Sequence, residues 1–290
     1  MDDVSAYDVS RENVRLAVEF ARGIRKDLQG LQGDKGDKGD KICIMVPDRA
    51  ELDIGVDMMG GDIGGNDYFR VYGGIELRAL RGVQDDGSGK GGGGAGWAGL
   101  FSGAFGSRGT VNPVPDCACY IICIASAQEL PDVEELYSKT GGKVPIVFFN
   151  LKLDTLRGDL GIPAFPPKSL HDRFLSRVKP VYYLRTRQYS RTTASPPFVV
   201  NYQGCLFRSY PGEWCVLLDV GDGRFRTVQE SGRRPGLGEF KGMLNGELEK
   251  RGVVEEEGKT LKFLRTGYKT QTWWEAEREV TDGASVEWRT

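Results

Sequence analysis

Three groups of residues in this 290-residue chain have types and spacings that could do chemistry. The first is Cys117-Ala-Cys119-Tyr-Ile-Ile-Cys123, which holds half of the six cysteines. On a strand, residues two and four apart point to one face, so the three thiols are expected side by side. A metal site would also need a second ligand cluster, such as a paired CxxC, and the only histidine, His171, is remote. The thiols are therefore expected to pack as small buried hydrophobes. The lone histidine also excludes most Ser/His and Cys/His catalytic arrangements unless His171 itself takes part.

The second group is the set of glycine-rich turns that resemble phosphate loops. Lys90 is followed by Gly91, where a P-loop needs serine or threonine. Gly103-Ala-Phe-Gly106-Ser-Arg-Gly109 has the wrong spacing for a dinucleotide turn, and Gly267-Tyr268-Lys269-Thr270 is out of pattern. Asp48 is better placed. It directly follows the apolar run Ile42 to Val46, and α/β proteins bind ligands at such strand ends. It is equally placed to cap a following helix, and that bland role is preferred.

The third group is basic and aromatic. From Lys168 to Arg208 there are eight basic residues (Lys168, Arg173, Arg177, Lys179, Arg185, Arg187, Arg191, Arg208) against one acid, Asp172. Tyr182, Tyr183, Tyr189, Tyr202 and Tyr210 are interleaved with them. Strand alternation puts Arg185, Arg187 and Tyr189 on one face and Tyr182, Leu184, Thr186 and Gln188 on the other. Such arginines either bridge strands and pair with acids, or bind an acidic partner, anionic headgroups or RNA. The candidate interaction face is Arg185, Arg187, Tyr189, Asn201, Arg208, Tyr210 and Trp214. No catalytic, cofactor-binding or metal-ligating residue is assigned, and no cofactor is expected.

These residues need elements to hold them. Ser10 is expected to cap a helix whose stripe is Val14, Ala17, Val18, Ala21, Ile24 and Leu28, ending at Gly30. Gly30 to Asp40 is a charged connector. Ile42 to Val46 and Cys117 to Ala125 are continuous apolar runs of the kind buried on both faces of a parallel sheet. A weak helix follows the first over Ala50 to Met59, and Gly74 to Leu80 is a further strand. A helix over Pro131 to Lys139 and a strand over Val144 to Phe149 complete a parallel crossover.

A short helix starts at Ser169. Beyond Pro180 come short strands over Val181 to Arg187, Phe198 to Asn201, Cys205 to Tyr210, Trp214 to Asp219 and Phe225 to Glu230. Gln203-Gly204, Pro211-Gly212 and Gly221-Asp222-Gly223 read as their turns. Leu237 to Arg251 is a last helix, and Trp273, Trp274 and Trp288 mark a tail over 260–290. The fold class expected is α/β: a parallel Rossmann-like sheet flanked by helices, continued by an antiparallel β region. A single domain is expected over 1–290, with a disordered glycine-rich insert at 82–109.

With 39 basic and 41 acidic residues the net charge is -2, which gives no general argument for nucleic acid. The 41 glycines exceed the usual share of roughly 7%. Six scattered cysteines point to a reducing compartment rather than a disulfide scaffold. No run approaches the roughly 18 apolar residues of a membrane span. The acidic opening Met1-Asp2-Asp3 is not a secretory signal.

The strings FNLKLDTLRGDLG (149–161), FPPKSLHDRFLS (165–176), PVYYLRTRQYSRT (180–192), PPFVVNYQGCLFRSYPGEW (196–214) and FLRTGYKTQTWWE (263–275) resemble a plant and algal plastid family. It is the family called domain of unknown function 1995, and KICIMVPD (41–48) fits it as well. The resemblance implies a chloroplast protein, stromal or peripheral on thylakoids, without enzymatic activity. It would assist photosystem II biogenesis, notably incorporation of the antenna protein PsbC. Partners implied are PsbC, a second assembly factor and a thylakoid insertase. Relatives carry a transit peptide and an earlier strand, so this sequence is expected to be N-terminally incomplete. Where the family string has a second proline in its Tyr-Pro-Gly-Pro-Trp turn, this chain has Glu213. Two other readings stay open: a nucleotide- or phosphometabolite-binding α/β enzyme of the stroma with its ligand near Asp48, and RNA binding.

Overall fold

A computed structural model describes residues 5–32, 41–61, 68–82, 110–254, 271–276 and 284–290. The chain comprises two compact units, Met1–Pro167 and Lys168–Thr290, each with its own sheet. The glycine-rich 83–109, the connector 33–40 and much of the tail lie outside the described residues.

In the first unit, continuous apolar runs become parallel strands with both faces covered. β1 (Lys41–Val46) lies at the centre, with Ile42 to Val46 all buried. It pairs in parallel with β3 (Ile75–Ala79) on one side and β4 (Cys117–Ile122) on the other. β5 (Ile146–Phe148) extends the sheet in parallel beyond β4, and β2 (Tyr68–Tyr72) pairs antiparallel with β3. The order is therefore β2-β3-β1-β4-β5, and the chain switches sides at β1. β2 has only half-buried and exposed residues, so it carries no apolar run to announce it.

α1 (Ala6–Gln32) lays Val14, Ala17, Val18 and Ala21 on Ile42, Ile44, Leu77, Cys119 and Ile121. It begins at Ala6, about two turns before its apolar stripe. Ser5 is the cap: its Oγ accepts from the Asp8 amide at 3.1 Å, and the Asp8 carboxylate accepts back from the Ser5 amide at 3.2 Å. Ser10 lies inside the helix, and Gly30 does not end it. α2 (Arg49–Met58) packs Leu52 and Val56 into the same core. α3 (Leu130–Lys139), with Pro131 in its first turn, links β4 to β5, and α4 (Leu153–Asp159) follows β5.

The three cysteines of the Cys117 to Cys123 run do not share a face. Lys41 pairs with Cys117 but Ile42 with Cys119, so Ala118 bulges out and the alternation slips by one. Cys119 and Cys123 face the helical core, whereas Cys117 hydrogen-bonds Cys43 and neighbours Tyr120 on the opposite side. Burial pushes the Cys119 and Cys123 thiols up to about 12.

In the second unit, α5 (Ser169–Arg173) and a short 3-10 turn (Leu175–Arg177) precede four antiparallel strands in sequential order. These are β6 (Tyr182–Thr192), β7 (Val199–Ser209), β8 (Trp214–Asp219) and β9 (Phe225–Ser231). Gln203-Gly204 does not turn. It lies within one continuous β7, paired with Gln188 and Arg187. The glycine serves close packing: a Cβ there would lie 2.4 Å from Leu244 Cδ1 and 3.0 Å from the Leu217 carbonyl. Leu244 belongs to α6 (Leu237–Lys250), which presses Phe240, Leu244 and Leu248 onto Leu206, Trp214, Val216 and Leu218. Trp274 and Trp288 of the tail are buried, and His171 meets the rings of Trp273 and Trp288 edge-on, each at 5.6 Å.

Candidate functional site

The alternation of β6 places Tyr183, Arg185, Arg187, Tyr189 and Arg191 on the face that α6 covers. Tyr182, Leu184, Thr186 and Gln188 stand on the opposite, exposed face. Arg191 is almost wholly buried and is held by Glu249 of α6 at 2.7 Å, which fits the strand-bridging role. Tyr189 stacks on Tyr202 with ring centroids 5.5 Å apart, under the ammonium of Lys241. Burial pushes the Tyr189 phenol up, against the pull of nearby Arg187.

Register brings the remaining cations together. Tyr183 lies opposite Arg208 and Arg185 opposite Leu206, so Arg185 and Arg208 are diagonal neighbours on the helix-covered face. Arg208 is 5% exposed. Its guanidinium carbon lies 5.2 Å from the Trp214 ring and 5.3 Å from the Tyr210 ring. Its Nε donates to the Gly212 carbonyl at 3.2 Å, inside the turn that carries Glu213. Arg234 sits among Trp214, Tyr183 and Trp288 at 5.7, 5.2 and 5.4 Å. Lys179 stands 5.1 Å over Tyr210 and closes the outer end of the stack. Cations and rings thus alternate as Lys179, Tyr210, Arg208, Trp214, Arg234.

Arg208 is the decisive member. Among the described residues no carboxylate pairs with it, and its buried Nη1 has no hydrogen-bond partner. Each cation–π contact is worth about 0.5 to 2 kcal/mol. Burying a guanidinium without a carboxylate costs several kcal/mol. Two rings and one carbonyl offset part of that cost, so this charge is not explained by stability alone.

The seven candidate residues therefore separate. Arg208, Tyr210 and Trp214 form one contiguous site, with Arg185 beside it. Arg187 and Tyr189 lie further along the same face, under α6. Asn201 stands on the opposite face, its Oδ1 accepting from the Ser190 hydroxyl at 2.7 Å. Lys179, Tyr183, Arg234 and Trp288 join the site from outside those seven; Lys179 and Tyr183 belong to the basic and aromatic group, Trp288 to the tail, and Arg234 to neither. Arg234 falls in the turn Ser231-Gly-Arg-Arg-Pro235, where no periodicity marks a residue as packed.

The strand ends of the first unit offer a weaker alternative. The Asp48 carboxylate caps α2, accepting from the Glu51 amide at 3.1 Å. Glu51 has one buried oxygen without a partner, and burial and then the Asp48 charge push its carboxyl up, against a hydrogen bond from Ser10. Ile124, Asn150 and Lys152, just past β4 and β5, have left-handed backbones with φ of 65, 54 and 46°. Strain of this kind concentrates at functional sites. Here, however, two carboxylates occupy the helix terminus that would have to receive a phosphate. Asn150 is already bound to Asn13 of α1 at 2.6 Å.

Among the described residues no three His, Cys, Asp or Glu side chains gather as they would around a metal. No helix among them is long and apolar enough to cross a membrane. The profile of one family, described as domain of unknown function (DUF1995), matches residues 4–242. The chain belongs to the DUF1995 family. The match runs through both sheets and into α6, so the Lys179 to Trp214 corner falls inside the family region. No curated protein and no solved structure matches the chain.

Proposed function

We propose that this DUF1995 protein is a non-enzymatic assembly factor of the chloroplast, similar to LOW PSII ACCUMULATION 3, that works by binding other proteins. In this reading it acts in the stroma or peripherally on thylakoids and assists incorporation of PsbC into photosystem II. It does so alongside a second assembly factor and a thylakoid insertase. The observation that carries the reading is Arg208: a buried cation that no carboxylate among the described residues meets, in contact with the rings of Trp214 and half-exposed Tyr210. Arginine flanked by aromatic rings is the composition of protein-binding hot spots.

The test is co-purification from plastids. The tagged protein is expected to retain photosystem II assembly intermediates containing PsbC. Retention of none of these, with the protein folded and present, would sink the reading. The alternative is a nucleotide- or phosphometabolite-binding enzyme of the stroma. It rests on the left-handed residues past β4 and β5, and it predicts a saturable thermal shift with such a ligand that is lost in Asp48→Ala. Charge favours the first reading, since Asp48 and Glu51 oppose a phosphate where that enzyme would need one.

A further inference from the structure

We infer that the corner formed by Lys179, Tyr210 and Arg208 anchors a carboxylate on an acidic, aromatic-bearing segment of a partner protein. This rests on the protein-binding reading above and adds the partner's chemistry to it. Two independent observations meet at this corner. The first is the buried charge of Arg208, which no carboxylate among the described residues opposes and which shares the Tyr210 ring with Lys179. Among the described residues the carboxylate paired with Lys179 is Glu287, at 4.0 Å and more than half exposed, too loose to neutralise it.

The second observation is an apolar rim at the same end of the β6–β7 ladder. Val181 is 61% exposed and Tyr210 46%. The Tyr210 amide donates to the Val181 carbonyl at 2.7 Å, so this exposed edge adjoins the ring that Lys179 and Arg208 share. A sunken cation beside exposed aromatic and aliphatic side chains matches a segment that presents a carboxylate next to a large apolar residue.

The same geometry disfavours polyanions. Nucleic acid binds through many exposed cations that track its phosphates, and membrane headgroups through clustered exposed lysines. Here the strongest cation is sunk, Glu213 is exposed on the adjoining turn, and the chain carries a net charge of -2. A single carboxylate suits the corner, and a run of phosphates does not.

The test uses the full chain and the fluorescence of its tryptophans, one of which, Trp214, stacks on Arg208. The probes are a synthetic peptide of alternating Glu and Phe, its Lys/Phe counterpart, a single-stranded RNA oligonucleotide and phosphatidylglycerol vesicles. Saturable binding of the acidic peptide alone is expected, weakened about tenfold or more by Lys179→Glu and by Arg208→Met. Arg208→Met keeps an unbranched apolar stem and removes the buried charge, so its Tm is expected to hold or rise while binding falls. A Tm drop of many degrees in Arg208→Met would assign the arginine a structural role and overturn the inference. Unchanged peptide binding in Lys179→Glu, or preference for RNA or vesicles, overturns it as well. If the wild-type chain retains PsbC-containing intermediates and Lys179→Glu retains them equally, the inference fails while the protein-binding reading stands. If the wild type retains none, the reading itself fails.

Discussion

Glu51 and Arg208 are both charged groups held without full compensation, but they differ in what they imply. Burial and Asp48 raise the Glu51 carboxyl above its ordinary range, so the folded state favours its neutral form. The stability this contributes is fully present below the unfolded pKa of about 4.3 and is lost as pH rises through the raised folded value. Glu51→Gln, which is neutral throughout, is therefore expected to raise Tm at neutral pH and to match the wild type near pH about 3.5, below that unfolded value. Thermal melts at the two pH values check this, and a lower Tm at neutral pH would contradict it. Arg208 is a buried guanidinium that no carboxylate among the described residues meets, which is why it motivates a partner and Glu51 does not.

At the scale of elements, what the sequence made legible follows from how many faces each element buries. β1 and β4 are covered on both faces, so their apolar runs announced them, and α3, β5, β8 and α6 follow patterns of the same kind. β2 buries little and left no run to read. Gly204 was misread because glycine after glutamine in a polar stretch is usual for a turn. The reason for the glycine is the Leu244 side chain, which is distant in sequence. Gly204→Ala puts a methyl against that leucine and against a backbone carbonyl that cannot move. The expected loss is about 1 to 3 kcal/mol, typical of overpacking, read by denaturant unfolding; a neutral result would mean α6 shifts freely on the sheet. The cysteine face was misread for a similar reason, since a bulge at Ala118 is a property of register and not of composition.

Over the whole molecule, the candidate site was only partly legible. Alternation sorted the residues of β6 onto the correct faces but not which face the helix covers, because both faces mix polar and aromatic residues. Arg208, Tyr210 and Trp214 were singled out and do come together. Lys179 and Arg234 join them only through packing of segments before β6 and after β9. The first unit puts its helices on a mostly parallel sheet and carries carboxylates at the strand ends. The second concentrates cations and rings at one end of a meander. The protein-binding reading proposed above therefore rests on the second unit alone.

Amide hydrogen exchange on the protein, alone and bound to a PsbC-containing assembly intermediate in mild detergent, tests this most directly. The account predicts new protection at residues 179–184 and 208–214, with the 221–226 turn unchanged. Protection confined to residues 48–51, 124–126 and 150–152, at the strand ends of the first unit, would contradict it.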